Sequence, residues 1–424
     1  MSLQPGAVPS VSMRLRTKLL WVVLFYFAQG FPFGVVNDLL PVYFRTHGVA
    51  LRDIGFLSFI GMPWTFKVFW SPLVDRFGTR QKWIVASLLG MGVILALLPL
   101  GNPAVAHVSE AGETVLRPAR LVWGLLLVFT VLSATQDVAI DAYTIGLMDK
   151  GEEGAANSFR VSAYRVAMIA AGGGLVALAT WLPWTTIFYI GAGIFLLLAL
   201  IVPRSPAVPV PEESKMELFR PLWAWIRRSG GWAVLLFILV YKVGDAAMAP
   251  MLKPFWIDRG LSPAEIGLVS TTLGIVASVI GAMIGGAWIT RIGIFHGLWV
   301  LGLLQAVSNL GYAGAALWDV PREGIYVAGV VESFCGGLGT AAFLSFLMNV
   351  CDKEHAAVQY ALLSAIFGLS RSISGGFSGW GTEHLGYATY FGTTFLLALP
   401  AYLLLPWVRR WIRERNETAE PGIV

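Results

Sequence analysis

Charge is scarce in this sequence of 424 residues. Lys, Arg, Asp and Glu make up 13% of it, against 56% for hydrophobic residues, whereas soluble domains carry about 25% charge. So few charged side chains cannot cover a soluble globule of this length. The mean hydropathy of +0.70 points instead to lipid as the solvent of most of the exterior. Cysteine is nearly absent: Cys335 and Cys351 fall in one predicted helix, too far apart along it to bridge. That excludes a disulfide framework and a cysteine metal site. The five histidines show no His/Glu metal spacing and no nucleophile–base pairing, so no cofactor, metal or enzymatic chemistry is expected. A Gly-x-x-x-x-Gly-Lys phosphate loop is missing too, which argues against ATP-driven work. The formal charge of +5 comes from basic edges of apolar segments and gives no reason to expect nucleic acid.

What is present is a series of long apolar runs. About twelve of them, each long enough to cross a ~30 Å hydrocarbon core as a helix, predict an all-α membrane protein; barrel strands would show ~10-residue alternation. The predicted spans are 18–44, 54–72, 83–101, 120–146, 158–180, 183–202, 232–256, 264–288, 295–318, 324–349, 359–380 and 386–408. They divide into a tail 1–17, a six-helix bundle 18–202, a linker 203–231, a second six-helix bundle 232–408 and a tail 409–424. The linker is rich in Pro and charge, and Glu217 to Arg228 reads as an interfacial helix with Trp223 and Trp225. Met1 to Ser12 is polar and followed by a basic run and many spans, so it does not read as a removable signal; Met13 is an alternative start.

Basic residues orient the chain. The side holding both termini gathers Arg14, Arg16, Lys18, Arg76, Arg80, Lys82, Lys150, Arg204, Arg409 and Arg410, among others. The opposite loops hold Arg45, Arg52, Arg117, Arg120, Arg259 and Arg322. The excess predicts both termini in the cytoplasm. The halves also repeat: Phe44, Gly48, Ile54, Gly55 and Ser58 recur as Trp256, Gly260, Ile266, Gly267 and Ser270, displaced by 212 residues. Duplicated halves are a common construction in secondary transporters.

Ionisable residues stand well inside the spans: Asp38, Lys67, Asp137, Asp141, Arg165, Lys242, Asp245, Glu332 and Arg371. Each costs ~2.5–3.5 kcal/mol at a helix centre on insertion scales, so they must face one another or a wet cavity. Asp137, Asp141 and Thr144 share one face of the fourth span, and Lys242 and Asp245 one face of the seventh. Ser162 and Arg165 share a face of the fifth, and Glu332 opens a face lined by Gly336 and Gly339. They are either transport residues or structural ion pairs. Tyr26, Trp64, Trp70, Tyr143, Tyr164, Tyr241 and Trp380 are either stacking surfaces for a ligand or ordinary packing.

Between the second and third spans stands Ser71-Pro72-Leu73-Val74-Asp75-Arg76-Phe77-Gly78-Thr79-Arg80. This resembles the signature loop of the major facilitator superfamily, with Ser71 and Thr79 as departures. A degraded copy runs from Gly286 to Gly293, with Thr290 where the acid would be. The resemblance implies a two-bundle fold and a conformational latch, in which Gly78 permits the turn. Asp75 would then meet a helix N-terminus, and Arg76 and Arg80 would pair with cytoplasmic acids.

Longer strings narrow the likeness. Gln29-Gly30-Phe31-Pro32, Lys67-Val68-Phe69-Trp70-Ser71-Pro72, Ala134-Thr135-Gln136-Asp137, Tyr164-Arg165 and Tyr241-Lys242-Val243-Gly244-Asp245 resemble the anhydromuropeptide permeases of AmpG type. Leu304 to Asn309, Cys335 to Phe343 and Gln359 to Arg371 extend it. That family includes acetyl-CoA transporters. The resemblance implies proton-driven import of N-acetylglucosamine-anhydro-N-acetylmuramyl peptides across the inner membrane, for peptidoglycan recycling, by a monomer in the lipid bilayer. Lys67, Gln136, Tyr164, Arg165, Tyr241, Lys242 and Arg371 would then contact the sugar-peptide, and Asp137, Asp141, Asp245 and Glu332 would be the proton-linked acids. The alternatives are another amphipathic anion, such as an acyl-CoA or siderophore, or a non-transporting membrane assembly factor.

Overall fold

The computed structural model describes residues 13–108, 114–149, 151–208, 231–351 and 356–419. The predicted interfacial helix at Glu217 to Arg228, together with Lys150, lies outside the described residues. Among the described residues, the secondary structure is helical apart from one hairpin. The helices are α1 Leu15–Gly34, α2 Leu40–Thr46, α3 Leu51–Ile60, α4 Met62–Phe66, α5 Ser71–Arg76, α6 Arg80–Leu97, α7 Arg120–Leu147, α8 Glu153–Met168, α9 Val176–Leu178 and α10 Trp184–Ile201. Beyond the linker follow α11 Gly231–Tyr241, α12 Val243–Asp258, α13 Pro263–Glu265, α14 Gly274–Leu317, α15 Arg322–Val350, α16 Ala356–Gly376, α17 Ser378–Ala398 and α18 Pro400–Ala419. Among the described residues, nine helical stretches are long and apolar enough to cross a membrane.

Glycine and proline set the breaks. Pro32 inside α1 removes one backbone donor, and a π-helical stretch, Val35–Leu39, follows before α2. Gly293 in α14 (φ 80°) and Gly386 in α17 (φ 73°) adopt left-handed conformations, so each of these long helices is two segments joined at a glycine. The second predicted span is not one helix: it is α3, α4, a 3-10 turn Lys67–Phe69 and α5 in succession. The turn at Trp70 (φ −114°, ψ 2°) keeps α5 from continuing the line.

One element had no counterpart in the sequence reading. Residues Val105–Val108 (β1) and Thr114–Arg117 (β2) pair antiparallel, with Val105 opposite Arg117 and Val108 opposite Thr114. The 212-residue repeat is built into the backbone at atomic detail. After α2, Gly48 N–H donates to Arg45 O (2.9 Å) and Val49 N–H to Phe44 O (3.0 Å). After α12, Gly260 N–H donates to Ile257 O (2.9 Å) and Leu261 N–H to Trp256 O (3.1 Å). Both are Schellman closures with a left-handed glycine, at φ 77° and 72°. The helix that follows differs: Ser262 and Glu265 form a reciprocal capping box, whereas Ala50 offers no side-chain cap.

The chain forms two compact units. The first comprises Met1–Val49 and Phe66–Met216, the second Ala50–Thr65 and Glu217–Val424. In the first, Gly30 and Gly34 let α1 approach the chain of α8: a Cβ on Gly30 would stand 2.6 Å from Tyr164 O, and one on Gly34 2.9 Å from the Ala171 Cβ. Phe31, Phe129 and Phe195 pack edge-on beside this crossing. In the second unit, Phe237, Leu298, Leu301, Phe343 and Phe346 are fully buried and form the centre of its core. There α3 lies against α17, where a Cβ on Gly55 would come within 2.7 Å of Gly379 N.

Candidate functional site

Each unit carries its own partly buried polar cluster. In the first, Lys67 leaves the 3-10 turn with its Nζ 3.3 Å from Asp137 Oδ2 and 3.9 Å from Asp141 Oδ2. One turn of α7 separates the two acids, which is why one ammonium reaches both. Asp141 has two more partners: the Tyr26 hydroxyl donates to its Oδ1 at 2.8 Å, and Arg160 from α8 stands 3.4 Å from the same oxygen. The Arg160 guanidinium also lies 4.7 Å from the Tyr26 ring centroid, a cation–π contact. Beside these, Trp70 donates to Thr135 at 3.2 Å.

Two features of this cluster are unusual for buried groups, which are nearly always hydrogen-bonded. Gln136 is fully buried, and neither end of its carboxamide has a partner among the described residues. Asp137 Oδ1 and Gln29 Oε1 are likewise buried with no hydrogen-bond partner among the described residues. Arg165, half-buried on α8, has no ion pair among the described residues. Tyr164 beside it packs on Phe33, with ring centroids 5.9 Å apart.

In the second unit Lys242, at the start of α12, is 4% exposed. Its ammonium donates to Gln305 Oε1 at 2.7 Å and Thr340 Oγ1 at 3.0 Å, and lies 3.6 Å from Asp245 Oδ2. Two of these contacts are hydrogen bonds and the third is an ion pair, so Lys242 is held by the protein itself. Glu332 on α15 accepts from Ser333 at 3.4 Å and is within Coulombic reach of Lys242 and Asp245. Arg371 is exposed on α16 and acts on Lys242 only through space. Tyr241 packs parallel on Phe343 (5.5 Å, 11°) and donates to Leu298 O at 3.0 Å, so its ring and hydroxyl are both engaged in the core.

The signature loop retains its turn: Gly78 has φ 77°, and Thr79 caps α6 by accepting from Lys82 N–H. Arg76 is exposed over the Phe77 ring, at 5.8 Å, and Arg80 is 8% exposed. The side chain of Asp75 lies outside the described residues. Asp149 and Glu152, in the loop before α8, enclose Lys18 at 2.6 and 2.9 Å. That lysine, one of the basic residues used to orient the chain, is fully buried.

Sequence reasoning gave no site role to Arg160, Gln29, Gln305 or Thr340, although the last three stand in the strings that carry the family resemblance. Arg160 sits at the polar end of a predicted span and reads there as an ordinary flanking base. Gln305 was visible as a polar residue in the middle of an apolar helix. Only the fold shows that it receives Lys242.

Comparisons with known proteins agree with this architecture. A family model described as acetyl-coenzyme A transporter 1 matches residues 18–169, and the Major Facilitator Superfamily model matches residues 234–423. The anhydromuropeptide permease of Escherichia coli K12 is 32% identical over 390 residues, covering 89% of this chain and 77% of its own. A putative transporter AmpG 4 of Rickettsia conorii is 26% identical, covering 92% of this chain and 96% of its own. Among solved structures, a bacterial homolog to the human lysosomal transporter Spinster superposes with a TM-score of 0.73 at 14% identity, over 95% of this chain and 98% of the other. The xylose transporter XylE of E. coli gives 0.65 at 14% identity, over 92% and 96%. These likenesses establish a multi-pass membrane permease that carries a small molecule, not an enzyme. The chain belongs to the anhydromuropeptide permease, AmpG-type, family of the major facilitator superfamily.

Proposed function

We propose that this permease imports N-acetylglucosamine-anhydro-N-acetylmuramyl peptides across the inner membrane by alternating access, driven by protons. In this reading twelve spans form two six-helix bundles, both termini are cytoplasmic and the protein works as a monomer. The observation that carries the proton coupling is the Lys67–Asp137 pair at 3.3 Å, in which Asp137 keeps a buried oxygen without a partner. A proton on Asp137 removes the negative half of the pair and releases the ammonium to a substrate carboxylate. Arg165, half-buried and without an ion pair among the described residues, is suited to a second carboxylate of the same ligand. The buried carboxamide of Gln136 offers a donor and an acceptor to a sugar.

The substrate class rests on the E. coli relative, which is named an anhydromuropeptide permease. The hydrogen-bonded ammonium of Lys242 changes its proposed part: it serves as internal counter-ion to Asp245 and Glu332, and Arg371 is an exposed cation of that unit. Asp75, Arg76, Gly78 and Arg80 are proposed as the latch. A specific observation favours one second reading, transport of an acyl-CoA, because the acetyl-coenzyme A transporter 1 model covers residues 18–169.

Uptake of labelled anhydromuropeptide into proteoliposomes under an imposed proton gradient tests the proposal. Accumulation that collapses with a protonophore is the expected result. Gradient-independent signal removes the coupling, and competition by acetyl-CoA but not by unlabelled muropeptide selects the second reading.

A further inference from the structure

Asp137 and Asp141 look equivalent in the sequence, four residues apart on one helix and both within reach of Lys67. Their surroundings are not equivalent. Asp137 has Lys67 as its cation, the Gln29 carboxamide beside it and one oxygen without a partner. Asp141 has Lys67 at 3.9 Å, Arg160 at 3.4 Å and the Tyr26 hydroxyl at 2.8 Å. Among the described residues, no other charged group contacts either acid. Two cations and two acids leave the cluster neutral.

We infer that Arg160, with Tyr26 beneath it, is the positioning residue that holds Asp141 out of the proton cycle, so that Asp137 alone answers the proton and a single proton frees Lys67. The inference rests on the proton-coupled reading above. Its physical basis is charge counting. With Arg160 in place, Asp141 has its own cation, and Lys67 depends chiefly on Asp137. Without Arg160, two carboxylates compete for one ammonium. The first proton then satisfies the excess acid and leaves Lys67 paired with the other, so release requires a second proton. The stacking of Arg160 on the Tyr26 ring fixes the guanidinium where it meets Asp141 rather than Asp137.

The test is the pH profile of muropeptide uptake in proteoliposomes, measured for the full chain and three variants of equal chromatographic homogeneity. Arg160→Gln is expected to move the uptake optimum to more acidic pH and to steepen its dependence on proton concentration from first towards second order. Arg160→Lys keeps the charge and is expected to keep the wild-type profile at reduced rate. Arg160→Gln with Asp141→Asn restores one acid to one lysine and is expected to return the profile towards wild type. A profile for Arg160→Gln that superimposes on wild type overturns the inference. So does a monodisperse double variant that remains at the acidic position or shows no uptake. Wild-type uptake that ignores the gradient strikes the proton-coupled reading itself, and that result is read before any variant.

Discussion

The ammonium of Lys18 is fully buried and lies 2.6 Å from Asp149 Oδ2, tying the start of α1 to the loop before α8. Glu152 joins at 2.9 Å and also accepts from Asp149 N–H at 2.9 Å. A buried ammonium without acids is costly, so the loop is held wherever Lys18 is. Lys18→Ala is expected to lower stability by about 2 kcal/mol, the loss of charge-assisted hydrogen bonds. It should appear as a lower thermal midpoint in detergent, and an unchanged midpoint would show that the contact is not formed.

Glu152 gives this contact a pH dependence. The Asp149 backbone N–H, and after it Lys18, hold its carboxyl below the ordinary value of 4.5. A depressed acid stabilises the fold above its unfolded value, and that contribution is lost as pH falls through the folded one. Thermal midpoints of wild type and Glu152→Gln should therefore differ at pH 7 and converge on acidification below 4.5. A gap that widens towards acid would contradict the assignment.

Gly336 and Gly339 stand on the same helix, yet only one has room for a methyl group. A Cβ on Gly339 would overlap Gln305 Oε1, the atom that receives Lys242 at 2.7 Å. A Cβ on Gly336 would meet Glu332 Oε1 at 3.7 Å and Gln305 Nε2 at 4.0 Å, ordinary contacts. Gly339→Ala should lower the thermal midpoint by displacing Gln305 and leaving a buried ammonium short of an acceptor, at about 1–3 kcal/mol. Gly336→Ala should leave the midpoint within about 0.5 kcal/mol of wild type.

This glycine pair shows how far the sequence could be read. Apolar run lengths place the helices because a membrane span has a fixed length and few alternatives. The 212-residue repeat appears in sequence because a left-handed residue after a helix selects glycine, and both Gly48 and Gly260 meet that need. Side-chain pairing is different. Lys67 reaches Asp137 across 70 positions and Lys242 reaches Gln305 across 63. Local periodicity carries no information at such distances. It can group Asp137 with Asp141, but it cannot show that Arg160 joins one and not the other. Nor could it separate Lys67, whose side chain is 30% exposed, from Lys242 at 4%, because both are lysines inside predicted apolar spans.

The Lys67–Asp137 pair allows structure and transport to be separated by a double-mutant cycle. Lys67→Met leaves Asp137 in a buried site without its cation, and Asp137→Asn leaves Lys67 with Asp141 at 3.9 Å as its remaining acid. Breaking a buried pair from one side costs about 3–5 kcal/mol when the remaining charge stays buried. Asp137 is the more enclosed partner, with 12% of its side chain exposed against 30% for Lys67, so Lys67→Met should be the more damaging single change. Replacing both removes the stranded charge, and the double variant should recover part of that loss, with a coupling energy of about 0.5–3 kcal/mol. Uptake should not recover with it, because neither the proton acceptor nor the released cation remains. Thermal midpoints and gradient-driven uptake of the four proteins decide the matter. Recovery of both would make the pair purely structural, and additive losses in stability would mean that the two groups do not interact.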